Sequence, residues 1–259
     1  GGEMRLENFS IKSGDETSYA DGGDTILDGP NTGNDAASGS QGFYGFRPET
    51  EIIKSRTNKS LYIDLEQTFI KRLLVCVAGR YEDYSDFGST LNGKLSLRYE
   101  PVTDFVLRTS ASTGFRAPTL AQSYHSHIQS TFISGVPYSL GIFPVNHPVS
   151  QALGATELKP ESSLNFNIGA AIQIRKKIFI SVDYFIIDIR DRIALTPNLT
   201  NTILPEFDSI FDSNKIQGSR YFFNGMDTYT QGVDFNFNAE FDINKKGKLN
   251  ILASATINE

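Results

Sequence analysis

Residues 233–243 read Val-Asp-Phe-Asn-Phe-Asn-Ala-Glu-Phe-Asp-Ile, and this stretch decides the fold class. Apolar and polar side chains alternate along its whole length. Because successive side chains on a β-strand point to opposite faces, the stretch predicts a strand with one apolar face and one polar, charged face. Residues 164–174 and residues 94–100 alternate in the same way.

Less regular patterns predict the remaining strands. They lie at residues 4–12, 59–69, 73–84, 105–115, 178–193 and 248–257. The middle of 178–193 is apolar on both faces, so the pattern leaves its register open. Helical structure is expected only as a single turn at residues 150–156. The sequence therefore predicts one all-β domain with about nine long strands.

The connections between these strands alternate between short and long. Short turns are expected near Ile70–Arg72, Pro101–Asp104, Arg175–Lys177 and Asn244–Gly247, and longer connections at residues 13–58, 85–92, 116–160 and 194–227. In an up-and-down barrel this rhythm places the short turns at one rim and the long loops at the other. Tight periplasmic turns and long extracellular loops are typical of outer-membrane barrels, whereas soluble sandwiches have shorter strands. The expected fold is thus an antiparallel up-and-down transmembrane β-barrel.

Composition excludes several other classes of protein. Hydrophobic residues make up 39% of the 259 residues and charged residues 21%, which excludes a disordered chain. No run approaches the roughly 18 to 20 consecutive apolar residues of a spanning helix. The net charge of −6 argues against a nucleic-acid partner. The lone cysteine, Cys76, excludes an internal disulfide and is expected to be a small apolar residue on a strand.

Residues 107–120 read Leu-Arg-Thr-Ser-Ala-Ser-Thr-Gly-Phe-Arg-Ala-Pro-Thr-Leu. This run closely resembles a strand-to-loop signature of TonB-dependent outer-membrane receptors. Other segments agree with the family in content and order, at residues 80–88, 157–161, 183–193 and 224–234. The resemblance extends over the whole chain.

The resemblance implies a 22-stranded barrel around an N-terminal plug, in the outer membrane of a Gram-negative bacterium. It also implies uptake of a scarce nutrient, most often a ferric siderophore or another iron chelate, and otherwise haem or cobalamin. The implied partners are that small molecule, outer-membrane lipid, and the TonB energy-transducing complex, which is reached through the plug region.

The sequence departs from the family pattern at both ends. We find no plug, no TonB-contacting segment and no aromatic-terminated last strand. A signal peptide, which an outer-membrane protein requires, is also missing, so either the protein is cytoplasmic or the sequence begins after the true start. Residues 1–259 are therefore expected to be a single, incomplete barrel domain without the plug and the final strands.

The connection at residues 116–160 contains the candidate ligand-binding residues. Its aromatic and imidazole side chains are those of Tyr124, His125, His127, Phe132, Tyr138, Phe143 and His147. They suit an iron chelate or haem, and the His-Ser-His spacing suits a metal, but an ordinary exposed loop is the favoured interpretation. Arg116 is expected to pair with a loop carboxylate in preference to contacting an anionic ligand.

Residues 13–40 are acidic and glycine-rich. Their oxygen-bearing side chains are those of Asp15, Glu16, Asp21, Asp24, Asp28, Asn31, Asn34 and Asp35. This density suggests Ca²⁺ binding, yet the EF-hand spacing is absent, and a solvated loop is favoured.

Enzyme chemistry finds no support in the sequence. The G-x-S-x-G, H-E-x-x-H and P-loop motifs are absent, so no catalytic residue, resident metal or cofactor is expected. The leading interpretation is a nutrient-uptake receptor, and the alternative is a soluble secreted β-rich ligand-binding domain without a transport role. A barrel enzyme or adhesin ranks behind both.

Overall fold

A computed structural model of the chain describes residues 1–29, 32–33, 35–36, 38–40, 44–133, 136–243 and 247–259, without the side chains of 132, 133, 136 and 137. The strands are β1 (Gly2–Ile11), β2 (Ile52–Ile70), β3 (Leu73–Tyr84), β4 (Gly88–Val102), β5 (Phe105–Arg116), β6 (His127–Ile133), β7 (Val136–Ile142), β8 (Glu161–Ile174), β9 (Ile178–Leu195), β10 (Leu199–Thr200), β11 (Gly218–Arg220), β12 (Phe222–Asp242) and β13 (Lys248–Asn258). The helices are α1 (Leu120–Tyr124), α2 (Pro148–Ala152) and α3 (Asp208–Ser213). Short 3-10 turns lie at Glu16–Ser18, Pro48–Thr50 and Pro205–Phe207.

Nine strands form one curved wall in the order β1-β2-β3-β4-β5-β8-β9-β12-β13. Every neighbouring pair is antiparallel, and β1 and β13 lie at the two edges of the described sheet. The predicted up-and-down barrel wall of about nine strands is therefore confirmed. No helix in the described part of the chain is long and apolar enough to span a bilayer.

The strand register gives the wall one apolar and one polar face. Leu61 lies opposite Tyr81 and Leu65 opposite Val77, whereas the interleaved Ser60 lies opposite Glu82. On the apolar face Leu61 is 67% exposed, and such an apolar surface over the whole wall suits lipid and not water. The polar face contains ion pairs, among them Arg108 with Asp183.

The pairing fixes the register of β9, which the sequence left open. Ile180 lies opposite Ile172 on one side and Phe237 on the other, so it belongs to the apolar face. Asp183 lies opposite Gly169 and Asp234 and belongs to the polar face.

One sequence-based expectation about the wall is wrong, and another is confirmed only in part. Residues 85–92 do not form a long connection, because β3 and β4 are joined by only Ser85–Phe87. Cys76 is on a strand, but it lies on the polar face, where its thiol donates to Asp64 Oδ1 over 3.3 Å. The helical turn expected at 150–156 is present two residues earlier, as α2.

The long connections fold into a second, smaller structure at one rim. Strands β10, β11, β7 and β6 form a four-stranded sheet, in which β11 and β7 are parallel. A buried apolar cluster lies beside it, made of Ile128, Phe143, Val149, Phe211 and Ile216. The buried apolar cluster of the described chain therefore lies in the loops, whereas the wall contributes only scattered buried apolar residues. No pattern in the sequence predicted this four-stranded sheet in the loops.

Candidate functional site

Residues Gly114–Pro118, part of the run that resembles the family signature, lie where strand β5 ends at the rim of the long connections. Proline at position 118 favours an extended conformation at Ala117, and Thr119 then begins helix α1. The Thr119 hydroxyl accepts from the Gln122 amide over 3.1 Å, while Gln122 Oε1 accepts from the Thr119 amide over 3.0 Å. This reciprocal capping box fixes the direction in which the chain leaves the wall.

Arg116 is paired with a carboxylate on the neighbouring strand. Its Nε donates to Glu161 Oε2 over 2.9 Å, and its Nη2 donates to the other carboxylate oxygen. Glu161 is 8% exposed and also accepts from the Ile193 amide over 2.8 Å. The Arg116 side chain thus ties β5 to β8 and β9, which is the anchoring role expected from the sequence.

A second arginine at this rim, which the sequence does not mark, joins several segments. Arg56, 3% exposed, donates from Nε to Asp86 over 2.8 Å and from Nη2 to the carbonyl oxygen of Pro118 over 2.8 Å. Its guanidinium lies 5.7 Å from the ring centroid of Tyr84 and 5.3 Å from that of Phe87. No alternation marks residues 52–58, so no signal in the sequence pointed to it.

His125 and His127 lie together beneath the connection that precedes β2. Phe46 contacts both imidazoles, with ring centroids 5.9 Å from His125 and 4.7 Å from His127. The two imidazole centroids are 6.2 Å apart, and the Tyr44 hydroxyl donates to the backbone carbonyl of Ser130 nearby. These contacts dock residues 44–46 onto the 116–160 connection.

Burial controls the protonation of these imidazoles. It lowers the pKa of His125, and it lowers the pKa of His127 together with the nearby positive charges of His125 and Arg47. His127 Nδ1 is buried and has no hydrogen-bond partner among the residues that the structure describes. Within the described residues, no group of three His, Cys, Asp or Glu side chains is placed to hold a metal ion. The His-Ser-His segment therefore supplies two clustered imidazoles that pack as aromatic rings.

The other candidate residues are dispersed. Phe143 is 4% exposed in the loop core and stacks on His147 with ring centroids 4.0 Å apart. His147 caps helix α2 by accepting from the Val149 amide over 3.3 Å, and burial lowers its pKa. Lys54 Nζ lies 5.1 Å over the Tyr124 ring. For Phe132 only the backbone, paired with Pro137, lies within the described residues.

Tyr138 lines a cavity of about 650 Å³ between three connections. Its hydroxyl is 3.2 Å from Thr202 Oγ1, and other lining residues come from the acidic segment and from α3. Five carboxylates and two cations line this space; they are Glu16, Asp21, Asp35, Glu49, Asp212, Arg47 and Lys215. The volume suits a small molecule, and the polar side chains offer hydrogen bonds to it.

The acidic segment is only partly described, since Asn31 and Asn34 lie outside the described residues. Its first turn is the 3-10 helix Glu16–Ser18, and Asp21 Oδ1 accepts from the Gly23 amide over 3.0 Å. A bridge joins Thr25 to Asp35. Three carboxylates of this segment, Glu16, Asp21 and Asp35, thus line the cavity that contains Tyr138.

A lipid-compatible antiparallel wall with a folded cap of long connections defines a class of protein, the outer-membrane β-barrels. The chain belongs to the TonB-dependent receptor-like β-barrel family, whose model matches residues 6–258. Proteins of this family reside in the outer membrane of Gram-negative bacteria. The resemblance deduced from residues 107–120 is therefore confirmed.

Solved receptors share the fold at low sequence identity. A variant of the ferric enterobactin receptor PfeA from Pseudomonas aeruginosa has a TM-score of 0.62 and 13% identity, with 99% of this chain and 32% of that chain covered. The siderophore receptor PirA from Acinetobacter baumannii has a TM-score of 0.59 and 15% identity, with coverages of 99% and 33%.

A third structure was solved with its ligands. A variant of the hemophore receptor HasR from Serratia marcescens, in complex with its hemophore HasA and heme, has a TM-score of 0.56 and 16% identity, with 84% of this chain and 36% of that chain covered. No curated protein sequence matches the chain. The chain spans about a third of the length of each of these receptors.

Proposed function

We propose that this chain is part of a receptor for TonB-coupled uptake of a scarce nutrient, namely a ferric siderophore or another iron chelate. The observation that carries the proposal is the cavity among three long connections, at one rim of a wall that belongs to a receptor family. A small molecule arriving from outside the cell would meet that rim first, because the long loops of such barrels are extracellular.

The named functions of the structural neighbours support an iron chelate over other nutrients. Two of them are siderophore receptors and one binds a hemophore with heme. In the proposed receptor, further strands complete the barrel, a plug domain fills it, and the TonB complex supplies energy through that plug. This chain contributes wall strands and loops.

The cavity favours a ligand that makes several hydrogen bonds. Tyr138 presents a hydroxyl, Arg47 a guanidinium and Glu49 a carboxylate, and Arg47 Nη1 lies 3.9 Å from Glu49 Oε1. Among the residues proposed from sequence whose side chains are described, Tyr138 is the one that lines this cavity, whereas Phe143 lies in the core and Arg116 is engaged with Glu161. We therefore assign ligand contact to Tyr138 and a structural role to the other two.

An uptake experiment on the intact protein tests this function. A strain without the full-length gene is grown under iron limitation with ferric hydroxamates, ferric catecholates or haem, and radioactive iron uptake is measured. We expect uptake of one iron chelate to be lost and restored by the full-length gene, only when TonB is present. Loss of cobalamin uptake alone, or unchanged uptake of every iron source, would overturn the proposal.

The cavity is tested separately. We expect Tyr138→Ala to weaken binding of the transported chelate by roughly tenfold, since a polar contact and ring area are lost together. Tyr229→Ala is a matched control, because Tyr229 is exposed on strand β12 and does not line the cavity. Equal affinities of both variants would place the ligand elsewhere on the receptor.

A further inference from the structure

Two short turns of the wall place a pair of cations directly after an exposed apolar side chain. The first is Ile70-Lys71-Arg72 between β2 and β3, and the second is Ile174-Arg175-Lys176 between β8 and β9. We call Lys71, Arg72, Arg175 and Lys176 the basic turns. Because all wall strands are antiparallel neighbours, both turns lie at the same rim, opposite the loop cap.

The backbone of the second turn is an unfavourable one for these residues. Arg175 and Lys176 have φ angles of 51° and 55°, and the Lys177 amide donates to the Ile174 carbonyl over 3.0 Å. This is a two-residue hairpin turn with both central residues left-handed, a conformation that favours Asn-Gly. Arg72 is also left-handed, with φ 76°. Arg72, Arg175 and Lys176 therefore occupy left-handed positions that favour Asn or Gly. This points to a role for their positive charge.

These charges are not neutralised by nearby acids. The neighbouring Lys177 pairs with Asp242, and Lys248 pairs with Glu240. In the described part of the chain, no carboxylate lies within ion-pair distance of any of the basic turns, all four of which are exposed.

Hydrogen bonds to neutral groups leave the charge of the basic turns in place. Arg72 donates from Nη1 to the carbonyl oxygen of Pro101 over 3.0 Å, which orients its guanidinium without neutralising it. Glu100 and Asp104 lie at the adjacent turn, between β4 and β5, where Glu100 Oε1 accepts from the Asp104 amide over 3.4 Å.

The opposite rim has the opposite charge. The connection between β1 and β2 contains eight carboxylates and one arginine at residues 13–51; they are Asp15, Glu16, Asp21, Asp24, Asp28, Asp35, Glu49, Glu51 and Arg47. The sign of the charge therefore changes along the axis of the barrel.

We propose that the basic turns bind the headgroups of anionic phospholipids in the leaflet at the short-turn rim. Ile70 is 62% exposed and Ile174 is 40% exposed, and both end strands whose apolar face meets the acyl chains. The cations that follow lie one or two residues further along, at the depth of the phosphate groups. Lys and Arg at such a boundary attract anionic headgroups, and the attraction weakens with salt.

The test uses the full-length receptor, purified in detergent and examined by native mass spectrometry with added lipid. Wild type is expected to retain cardiolipin and phosphatidylglycerol in preference to phosphatidylcholine. Arg175→Asn combined with Lys176→Gly removes two charges and introduces the residues that the turn geometry favours, so folding is preserved or improved. We expect this variant to retain cardiolipin roughly 25-fold less, at about fivefold per charge.

A matched control removes two cations from the other rim, as Lys12→Gln combined with Lys159→Gln, and is expected to retain cardiolipin as wild type does. Equal retention by the turn variant and wild type would overturn the proposal. So would equal retention of anionic and zwitterionic lipids by wild type. Reduced nutrient uptake by the turn variant with unchanged lipid retention would assign the rim to an acidic protein partner and would also overturn it.

Discussion

Arg56 on strand β2 donates a hydrogen bond to the backbone carbonyl of Pro118 over 2.8 Å and so joins two segments that are 62 residues apart. The same guanidinium binds Asp86 and lies 3.6 Å from Glu7 Oε2. Strand β1, strand β2, the β3–β4 turn and the Gly114–Pro118 segment therefore meet at a single side chain. This arginine, and not only the matched segment itself, determines where the long 116–160 connection leaves the wall.

Replacing Arg56 by Ala is expected to destabilise the barrel by about 2 to 4 kcal/mol, because Asp86, Glu7 and the Pro118 carbonyl lose their common partner. The midpoint of urea unfolding of the full-length receptor in lipid vesicles measures the loss. Arg98→Ala is the control, since Arg98 is 50% exposed and its nearest acid, Glu100, is 3.7 Å away. That variant should lose less than about 1 kcal/mol. Similar losses in both would remove the special role assigned to Arg56.

Gly169 is expected to tolerate no side chain. A Cβ there would meet the Asp183 carboxylate, which accepts from Arg108 Nε over 2.7 Å. Gly169→Ala should displace Asp183, break this ion pair on the polar face and cost about 1 to 2 kcal/mol in the same unfolding measurement. Gly93→Ala is the matched control, because its nearest neighbour would be the Ala78 carbonyl oxygen at 3.7 Å, an ordinary contact. A free energy of unfolding that is unchanged in Gly169→Ala would contradict this packing.

Glu161→Gln is expected to loosen the start of strand β8. The amide side chain still accepts from the Ile193 amide, but the two charge-assisted hydrogen bonds from Arg116 are weakened, at a cost of about 1 to 2 kcal/mol. This loosening is measured as faster amide hydrogen exchange at residues 161–164. Glu240→Gln removes an exposed pair with Lys248, whose side chain is 64% exposed, and should leave exchange at residues 161–164 unchanged. Exchange in the Glu161→Gln variant that equals wild type would refute the anchoring role.

The docking of residues 44–46 on His125 and His127 is expected to depend on pH. Burial lowers the pKa of both imidazoles, so the docked loops hold them neutral, whereas undocked loops titrate near the ordinary value of about 6.5. Docking is therefore strongest above about pH 6.5 and weakens as the pH falls through that value. Hydrogen exchange at residues 44–51 should accelerate between pH 7.5 and pH 5.5, after correction for intrinsic exchange rates.

A double variant provides the control for this pH dependence. His125→Phe combined with His127→Phe keeps two aromatic rings against Phe46 and removes both protonation sites. Its exchange at residues 44–51 should be insensitive to pH. Persistent acceleration at low pH in the double variant would show that other groups control the docking.

The wall was predictable because a strand with lipid on one side alternates apolar and polar side chains. In β12, residues 233–242 alternate along the whole stretch, and the structure pairs each of them with a residue of β13. Strand β9 lacked such a pattern, since Phe179, Phe185 and Ile187 are apolar on the same face as Asp183. Its register is given by the pairing with β8 and β12, and its polar face is marked by Asp183, whose partner Arg108 lies on a strand two places away in the sheet.

The loop cap was not predictable in the same way. Strands β10 and β11 are two and three residues long, too short for any periodic pattern, and β11 pairs in parallel with β7 from 78 residues earlier. Arg56 likewise lies in a stretch without alternation, and its partners come from three distant segments. These contacts depend on tertiary structure that no local sequence pattern encodes.

The buried cluster around Val149 and Phe211 has a consequence for how such a protein changes over time. The wall is maintained by hydrocarbon on its outside, whereas the cap is maintained by its own water-excluding interior. A mutation in the wall is therefore constrained by its contact with lipid, whereas a mutation in the cap is constrained by packing and by contact with water. The outer end can acquire new recognition properties under the constraints of a small soluble protein, while the strands beneath it continue to match an unchanged bilayer.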